Sequence, residues 1–413
     1  MLRRAAGYVV LYCCGVAAIV RLTVRDAVPW LAPVYYATPF PVIAAALLVS
    51  AVLLYGKHSR RATLWLAPLA LCLALGGIVA PAGFHSCGQA AADLRVFTWN
   101  IGYGDGGWQA EVEQAARSDA DLVLLVEAGD PTPVRRRMWR RFFPSRTIVI
   151  PGGGLVLIAR GRLDRVRLHE LDGDTRVATA VATIDGRRWY VVLVDVSSNP
   201  LVARGPMLAE VDEIARARSD LPVIITGDFN TPTGSVWLKP FETSFVHAFA
   251  SAGHGFGGTW PMPVPVLAID HLWASPGVGI LCARHHWTLL SDHLQLITDL
   301  SDPRVADSRH AAAPATGKKA KDVGGFLVLA GLGGALGCLA VSAYIARYCF
   351  VAWQTAQWPP PGVRSVSAWR PLEGAPARRM AALGLLLAAV LAVAGLVLPL
   401  SAWHTVALLK LGA

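Results

Sequence analysis

Long apolar runs with few or no charges at both ends of the chain constrain its fold more than any other feature. A membrane span needs about 20 mainly apolar residues, and five runs meet that length: about Ala5–Val24, Trp30–Gly56, Ala62–Phe84, Gly324–Trp353 and Met380–Leu409. The chain is 54% hydrophobic and 16% charged, and the apolar excess is concentrated in these runs. We therefore predict a globular domain between three transmembrane helices within residues 1–90 and two, joined by a basic loop, within residues 324–413.

Basic residues around the apolar runs predict how the chain lies in the membrane. Lys and Arg are enriched in loops that remain in the cytoplasm; Arg3 and Arg4 precede the first run, and Lys57–Arg61 joins the second to the third. Three spans then place the central domain outside the cytoplasm, in a multi-pass protein of the plasma (inner) membrane. Lys318–Lys321 disagrees, because it lies on the predicted outer side. A cleaved signal peptide is the alternative for the first run, but no small-residue cleavage site follows it.

The central segment is acidic although the whole chain is basic. Between Asp93 and Asp302 there are 24 acidic and 20 basic residues, and the other 18 basic residues lie in the apolar runs and their flanks. The positive charge therefore belongs to the membrane segments, and it does not predict a nucleic-acid surface on the central segment. Residues 303–323 are rich in Ser, Ala, Pro and Lys, which is typical of a flexible linker.

Two of the seven cysteines, Cys87 and Cys282, lie outside the apolar runs and would face an extracytoplasmic compartment. One disulfide between them is an alternative that the sequence leaves open. Two unpaired thiols are the interpretation that we favour, and the spacing is not that of a zinc site.

The central segment alternates short β-rich runs with polar helical stretches. Strands are predicted at Leu94–Trp99, Leu122–Val126, Leu155–Ile158, Val177–Ile184, Trp189–Val194 and Val223–Ile225. Helices are predicted at Glu111–Arg117 and Met207–Arg218. This mixture indicates an α/β layered domain with buried sheets.

Five short segments place polar side chains that can bind metal at strand ends. They are Leu94–Asn100, Asp121–Glu127, Thr226–Pro232, Ile269–His271 and Ser291–His293. A carboxylate directly after a buried apolar run loses solvation unless it meets a cation or a donor. Such ends, if they converge on one sheet edge, make a site for a hard cation, and oxygen ligands suit Mg²⁺ or Mn²⁺ better than zinc. Each segment alone is explained as well by a polar strand cap, so the functional interpretation depends on all five together.

In this order, the five segments resemble the motifs of the endonuclease/exonuclease/phosphatase (DNase I-like) superfamily. The matching residues are Trp99-Asn100, Glu127, Gly227-Asp228-Phe229-Asn230, Ile269-Asp270 and Ser291-Asp292-His293. The resemblance covers about residues 93–302. It implies a four-layer α/β sandwich with two β-sheets packed between helices, here flanked by transmembrane α-helices. Three leading spans before an external domain are similar to bacterial membrane-anchored members of the VanJ type.

The resemblance also implies which residues hold the metal and activate water. Glu127, helped by Asn100, would bind the divalent cation. Asp228 would orient or deprotonate the attacking water, while Asn230 would fix that carboxylate and contact the phosphate.

A second set of residues would act on the phosphate. His293 would donate to a phosphate oxygen as negative charge builds up in the transition state, Asp270 would orient the imidazole, and Asp292 would hold it in place or support the metal. Such roles are physically reasonable, because a cation and fixed donors offset the anionic repulsion that slows attack on a phosphoester.

One position departs from the pattern of the superfamily. Many members carry a phosphate-contacting histidine after the strand that corresponds to Tyr190–Val194, whereas this chain has Asp195 there. The extra carboxylate either binds metal or repels substrate, and an inactive domain stays open as an alternative. We count Asp195 among the substrate-binding candidates, together with Asn199 as a substitute donor and Trp260 at the edge of the cleft.

The predicted function is that of a membrane-anchored, metal-dependent phosphoric ester hydrolase with Mg²⁺ or Mn²⁺ as cofactor. Its substrate would be a phosphodiester or phosphomonoester, and the bilayer favours an envelope lipid or a lipid-linked precursor. An extracytoplasmic nuclease is a weaker alternative, because the central segment is acidic. A non-catalytic binding module on the same fold is the third. The sequence does not determine the substrate, the number of metal ions or the oligomeric state.

Overall fold

The apolar run Leu122–Val126 shows how the central domain is layered. All five residues are buried in a computed structural model of the chain, so both faces of this strand are covered, whereas a strand with one face in water alternates apolar and polar residues. The side chains of Leu122, Leu124 and Val126 meet a second sheet. Those of Val123 and Leu125 meet helices. This one strand therefore needs a covering layer on each side.

The structure describes residues 2–55, 60–79, 81–87 and 92–302, and, nearer the C-terminus, 346–347, 349–358, 372–379, 381–382 and 385. The chain divides into two units, Met1–Ala313 and Pro314–Ala413. In the second unit, the short strands Gln357–Trp358 and Leu372–Glu373 pair antiparallel. The predicted linker and most of the two predicted C-terminal spans lie outside the described residues.

Four helices begin the first unit: α1 (Leu2–Leu22), α2 (Ala32–Ala37), α3 (Phe40–Leu54) and α4 (Arg60–Val79). Within α1, Arg3–Leu22 is long and apolar enough to cross a membrane. Pro29–Ala37 and Phe40–Leu54 pass the same test only as a pair bent by 70°, and Pro39 lies at the bend because proline cannot continue a helix. In α4, the described apolar part is the shorter Leu69–Ile78. The described residues thus hold one helix of spanning length, or two if the bent pair is one span, where the sequence predicted three.

The N-terminal helices bury small residues against one another and expose large apolar ones. Their buried cluster joins α1, α3 and α4 and consists of Cys14, Ala17, Ile43, Ala44, Leu47 and Ala70. On α1, the large apolar side chains that are exposed are Tyr8, Val9, Tyr12, Val16, Ile19 and Leu22. A bundle of helices in water would present polar side chains on its outer surface.

The central domain contains thirteen strands, numbered in chain order after the short strand Gly83–Phe84 (β1), which precedes the domain. They are β2 (Leu94–Asn100), β3 (Leu122–Val126), β4 (Thr147–Gly152), β5 (Leu155–Ala159), β6 (Arg162–Glu170), β7 (Arg176–Ile184), β8 (Arg187–Asp195), β9 (Val223–Asp228), β10 (Val246–His247), β11 (Gly253–Gly255), β12 (Asp270–Ala274), β13 (Gly279–His286) and β14 (Gln295–Ser301). The helices of this domain are α5 (Trp108–Arg117), α6 (Pro133–Phe142), α7 (Arg204–Arg216), α8 (Lys239–Ser244) and α9 (Ala248–Ala252).

Two sheets form the middle layers of the domain. The first has the strand order β1-β11-β13-β14-β2-β3-β5-β4, and the second has the order β10-β12-β9-β8-β7-β6. Their facing side chains form one apolar core, which includes Leu124, Trp189 and Leu272. Helices α5 and α6 cover the outer face of the first sheet, and α7 and α8 cover that of the second. The four-layer α/β sandwich is therefore confirmed.

The six strands and two helices predicted for the central segment are all present, with ends that differ by at most three residues. Strands that the sequence did not predict include β6, whose residues Arg162–Glu170 are mostly exposed. It lies at the edge of the second sheet, where one side of the strand stays open to water. Charged side chains are tolerated at such an edge, so β6 lacks the apolar signal on which the strand predictions depended.

Cys87 and Cys282 form a disulfide, with their Cα atoms 5.0 Å apart. The favoured interpretation of two unpaired thiols was therefore wrong. The residues are 195 positions apart in the chain, but β1 pairs with β11 and β11 pairs with β13, which carries Cys282. Only this tertiary pairing brings Cys87, just after β1, to its partner.

Gly227 is required by close packing between β8 and β9. Its φ is +137°, and a Cβ at this position would overlap the backbone oxygen of Val194. We expect Gly227→Ala to lower the free energy of unfolding by about 4 kcal/mol, because neither backbone can move away. The control Gly186→Ala also has positive φ but meets nothing within 4 Å, so it should cost only about 1–2 kcal/mol. Denaturant titration followed by tryptophan fluorescence measures both, and equal losses would contradict this account.

Candidate active site

The register of the strands brings the predicted site residues to one edge of the sandwich. In the second sheet, Asp228 lies opposite Asp195 on one neighbouring strand and opposite Asp270 on the other. In the first sheet, β2 and β3 run parallel, so Asn100 at the end of β2 lies beside the strand that leads into Glu127. The two sheets are joined here by a hydrogen bond, in which Asn100 Nδ2 donates to Asp228 Oδ2 over 3.0 Å.

Two of these residues have left-handed backbone conformations. The φ of Glu127 is +53° and that of Asn230 is +44°. Asn tolerates this region because its short side chain bonds locally, but Glu does not favour it. The conformation of Glu127 costs about 1 kcal/mol.

Asp228 is held by donors on both of its oxygens. The backbone N–H of Asn230 donates to Oδ1 over 2.8 Å, and Asn100 occupies Oδ2. The residue is 1% exposed. Burial raises the pKa of Asp228 to about 7, against the opposing effect of His293. A carboxyl group of this kind exchanges a proton near neutral pH, which suits a general base.

His293 is fixed by a carboxylate on one side and faces Asp228 on the other. Its Nδ1 donates to Asp270 Oδ2 over 2.9 Å, and its Nε2 is 3.7 Å from Asp228 Oδ2. Burial alone would lower the pKa of His293, but Asp270 and Asp228 outweigh it and raise the pKa to about 10. The imidazole is therefore protonated at neutral pH, and its Nε2–H is directed toward the site as a donor.

Asp270 depends on Thr259, a residue that the sequence did not single out. The hydroxyl oxygen of Thr259 accepts hydrogen bonds from the backbone N–H groups of Ile269 and Asp270. These bonds fix the start of β12. Burial opposes ionisation of Asp270, but the charge of His293 lowers its pKa. The two residues thus form a buried ion pair.

Asp292 and Trp260 lie at the rim of the site. Trp260 Nε1 donates to Asp292 Oδ2 over 2.8 Å, and Asp292 Oδ1 is 3.9 Å from His293 Nε2. The side chain of Asp292 is 54% exposed. It therefore links the tryptophan at the edge of the cleft to the buried histidine.

Asp195 adds a third carboxylate close to Asp228 and Glu127. Burial, followed by the charges of Asp228 and Glu127, raises the pKa of Asp195 well above its usual value. Burial also raises the pKa of Glu127, although its hydrogen bond with Asn100 opposes this. Carboxylates that repel one another in a buried site are stabilised by a cation between them. The oxygen donors present therefore fit Mg²⁺ or Mn²⁺.

A second grouping of potential ligands comprises Asp228, Asp270 and His293, whose ligand atoms lie within 4.8 Å of one another. In this grouping Nδ1 of His293 donates to Asp270, and a ring nitrogen of His293 would have to lose its proton before it could bind a metal ion. Glu127, Asn100 and Asp195 offer an alternative set of ligands that consists of oxygen atoms alone.

A cavity of about 520 Å³ opens over these groups. Its lining includes six of the predicted site residues: Glu127, Asp228, Asn230, Trp260, Asp292 and His293. Asn199 is exposed in the adjoining loop, where its Oδ1 accepts a hydrogen bond from the backbone N–H of Leu201. Its predicted role as a donor to substrate thus has no support from this contact and stays a prediction.

Two further residues of the cavity wall, Arg204 and Tyr36, were not identified from the sequence. Arg204 begins α7 and is 2% exposed, but an arginine at a helix start is ordinarily a surface residue, so no local pattern marks it. Tyr36 belongs to α2, in a segment that the sequence assigned to a membrane span.

A sequence model described as the endonuclease/exonuclease/phosphatase family matches residues 97–293. The central domain belongs to this family. Members of this family hydrolyse phosphoesters.

Solved structures with similarity to the chain include three of this family or of related enzymes. An endonuclease/exonuclease/phosphatase from Beutenbergia cavernae is 18% identical and covers 51% of this chain and 72% of its own, with a TM-score of 0.41. A mannosyl-6-phosphatase from Bacteroides thetaiotaomicron is 15% identical, with coverages of 51% and 100% and a TM-score of 0.42. TDP2 of D. rerio in complex with a single-strand DNA product is 15% identical, with coverages of 51% and 99% and a TM-score of 0.41. No curated protein matches the chain.

The ion pair between His293 and Asp270 gives a spectroscopic test of the site. Asp270→Asn removes the first of the charges that raise the pKa of His293 to about 10, so that pKa should fall toward the ordinary histidine value. Histidine-labelled NMR of the detergent-solubilised chain in EDTA measures the titration. The control Asp185→Asn, in an exposed turn, should leave the pKa of His293 unchanged. A His293 that still titrates near 10 without Asp270 would contradict the assignment.

Proposed function

We propose that this protein is a membrane-anchored, metal-dependent phosphoesterase that acts on an amphiphilic phosphoester of the cell envelope. The observation that carries the proposal is the arrangement of Asp228 between a fixed imidazolium and a cluster of oxygen ligands. Hydrolysis of a phosphoester needs a base for water, a donor for the phosphate and a positive charge near its oxygens. The proposed site has a group for each.

The residues of the chain divide the proton transfers between them. Asp228, whose pKa is raised by burial to about 7, takes a proton from the attacking water. Its carboxylate keeps its direction because Asn100 and the backbone of Asn230 donate to it. His293 donates from Nε2 to a phosphate oxygen, while Asp270 holds the other ring nitrogen.

Glu127, Asn100 and Asp195 are the residues that would hold Mg²⁺ or Mn²⁺. A divalent cation bound there supplies electrostatic stabilisation of the negative charge on the phosphoryl oxygens. Asp195 then contributes an oxygen ligand at the position where many family members have histidine, so the exchange changes the ligand set instead of abolishing the site.

The apolar surface of the N-terminal helices supports a membrane anchor. Large side chains of α1, such as Tyr12 and Ile19, are more than 60% exposed, and a contiguous apolar face of this kind is stable in a bilayer. The Cys87–Cys282 disulfide supports a central domain outside the cytoplasm, because disulfides persist in oxidising compartments. The multi-pass topology remains part of the proposal.

The wall of the cavity favours an amphiphilic substrate over nucleic acid. It contains the apolar residues Pro33, Ala37, Pro200, Pro232, Leu267 and Ile269. Among the described residues, Arg204 is the one arginine or lysine that lines the cavity, whereas binding along a nucleic-acid backbone requires several cations. A phosphate group attached to a hydrocarbon or isoprenoid chain matches this combination of one cation with apolar walls.

Hydrolysis of bis-p-nitrophenyl phosphate by the purified chain with Mg²⁺ tests the reaction. We expect Asp228→Asn to lower kcat about 10³-fold, because it removes the general base. The control Asp185→Asn alters an exposed carboxylate and should leave kcat unchanged, while EDTA should abolish turnover of the unmodified chain.

Two substrates separate the alternatives. Phosphate release from an envelope lipid extract in mixed micelles, with plasmid DNA left intact, supports the lipid assignment, and the reverse pattern favours a nuclease. An unmodified chain that turns over none of these phosphoesters with any divalent cation would overturn the phosphoesterase and favour a binding module.

The disulfide provides a test of the location of the domain. In intact spheroplasts, a membrane-impermeant reductant followed by an impermeant maleimide should label the chain on Cys87 and Cys282. The double variant Cys87→Ser/Cys282→Ser should lose this labelling. Labelling that requires lysis of the spheroplasts would place the domain in the cytoplasm.

A further inference from the structure

Arg204 is a buried cation without a salt bridge among the described residues. It is 2% exposed, and among the described residues no acidic oxygen lies within 4 Å of its guanidinium, unlike the arginines of the observed ion pairs. Its hydrogen bonds all go to backbone carbonyls: Nη1 donates to Asn199 and Val202 over 3.0 and 3.3 Å, and Nε donates to Asn230 over 3.4 Å.

Burial of a charged guanidinium is unfavourable unless an anion binds to it. Burial lowers the pKa of Arg204, against the opposing effects of Tyr36, Asp228 and Asp26, so the surroundings on balance disfavour its positive charge. Within the part of the chain that the structure describes, Nη2 of Arg204 donates to no hydrogen-bond acceptor. It is nevertheless not sealed from solvent. Arg204 therefore keeps one donor group free and accessible.

Arg204 belongs to the wall of the active-site cavity. Arg204 lines the same cavity as Asp228 and His293, and the carbonyl that its Nε contacts is that of Asn230, two positions after Asp228. A guanidinium presents parallel N–H groups that match the oxygens of a phosphate. Its place in the site is thus next to the catalytic carboxylate, where a phosphate would otherwise meet negative charge.

The N-terminal segment holds Arg204 in this place. The ring of Tyr36 lies 5.9 Å from the guanidinium carbon, and the hydroxyl of Tyr36 donates to Asp26 over 3.0 Å. Asp26 is 1% exposed and also accepts hydrogen bonds from the hydroxyl of Ser235 and the backbone N–H of Val236. These bonds pin the segment between α1 and α3 against the loop after β9, so that Tyr36 closes one side of the arginine.

We propose that Arg204 is the phosphate-binding residue of this site and that it grips the non-bridging oxygens of the phosphoryl group that is hydrolysed. It supplies a donor to phosphate in place of the histidine that many family members carry at the position of Asp195, and Tyr36 of the N-terminal segment limits the approach to one face of the guanidinium. The assignment of Arg204 to the hydrolysed group rests on the proposed function, but binding of phosphate by Arg204 does not.

Binding of inorganic phosphate tests the inference without turnover. In EDTA, thermal unfolding of the solubilised full chain is followed over a phosphate titration. Because a hydrogen bond to a charged group contributes about 1.5–3 kcal/mol, Arg204→Met should weaken phosphate binding by roughly 10- to 100-fold. The matched control Arg188→Met removes an exposed arginine and should bind phosphate as the unmodified chain does.

A purely structural role for Arg204 gives a different pattern. The Arg204→Met variant would then unfold at a lower temperature, but phosphate would raise its unfolding temperature as much as that of the unmodified chain, and this result overturns the proposal. Should Arg204→Met fail to fold, Arg204→Lys replaces it: loss of the planar fork should weaken phosphate binding by about 3- to 10-fold, and unchanged binding would again overturn the proposal.

Kinetics link the phosphate site to the reaction. With bis-p-nitrophenyl phosphate and Mg²⁺, Arg204→Met should lower kcat/KM by about 10- to 100-fold, with Arg204→Lys between it and the unmodified chain. The variant Asp228→Asn should lose turnover but still bind phosphate, because the guanidinium of Arg204 is intact in it. An unmodified chain that binds phosphate through Arg204 but hydrolyses nothing would overturn the proposed function and leave the phosphate site in place.

Discussion

The structure depends on the burial of carboxylates where the edges of two sheets meet. The hydrogen bond from Asn100 to Asp228 crosses from one sheet to the other. Two residues earlier on each strand, a buried hydrogen bond of 2.9 Å between the hydroxyls of Thr98 and Thr226 also joins the two sheets. A buried carboxylate without such donors would cost several kcal/mol. The donors therefore fix how the sheets stack at this edge, and the same contacts set the direction and the pKa of the proposed base.

The two sides of the site have opposite charge, and this division gives it a direction. Asp270 lies behind His293 and keeps it protonated, while Asp195 and Glu127 gather on the side that we assign to the cation. Arg204 adds a second fixed positive charge near the end of β9. A phosphate placed in the cavity would thus meet positive charges from separate elements, and each charge is held by groups outside the cavity. Positive charges fixed in advance in this way lower the free energy of an anionic transition state.

The N-terminal segment belongs to the proposed site as well as to the proposed membrane anchor. Asp26 bonds to the backbone and side chains that follow β9, and the side chain of Trp237 donates to the backbone oxygen of Asp26 over 3.0 Å. Because Pro33 and Tyr36 of the same segment line the cavity, one wall of the proposed site is continuous with the apolar helices. A substrate with a hydrocarbon part could therefore keep that part against apolar surface while its phosphate reaches Asp228.

The sequence by itself determined the layered fold and most of the proposed site, because buried strands and strand-end carboxylates leave a local pattern. Leu122–Val126 and Gly227–Asn230 can be recognised from their own residues, without knowledge of what they contact. The tertiary structure decided what depends on distant pairing. The Cys87–Cys282 disulfide exists only because β1, β11 and β13 are neighbours, and the importance of Arg204 appears only once α7, the loop after β9 and the N-terminal segment bury it together. Neither feature has a local signal, since covalent pairing and burial are properties of residues that the chain brings together from far apart.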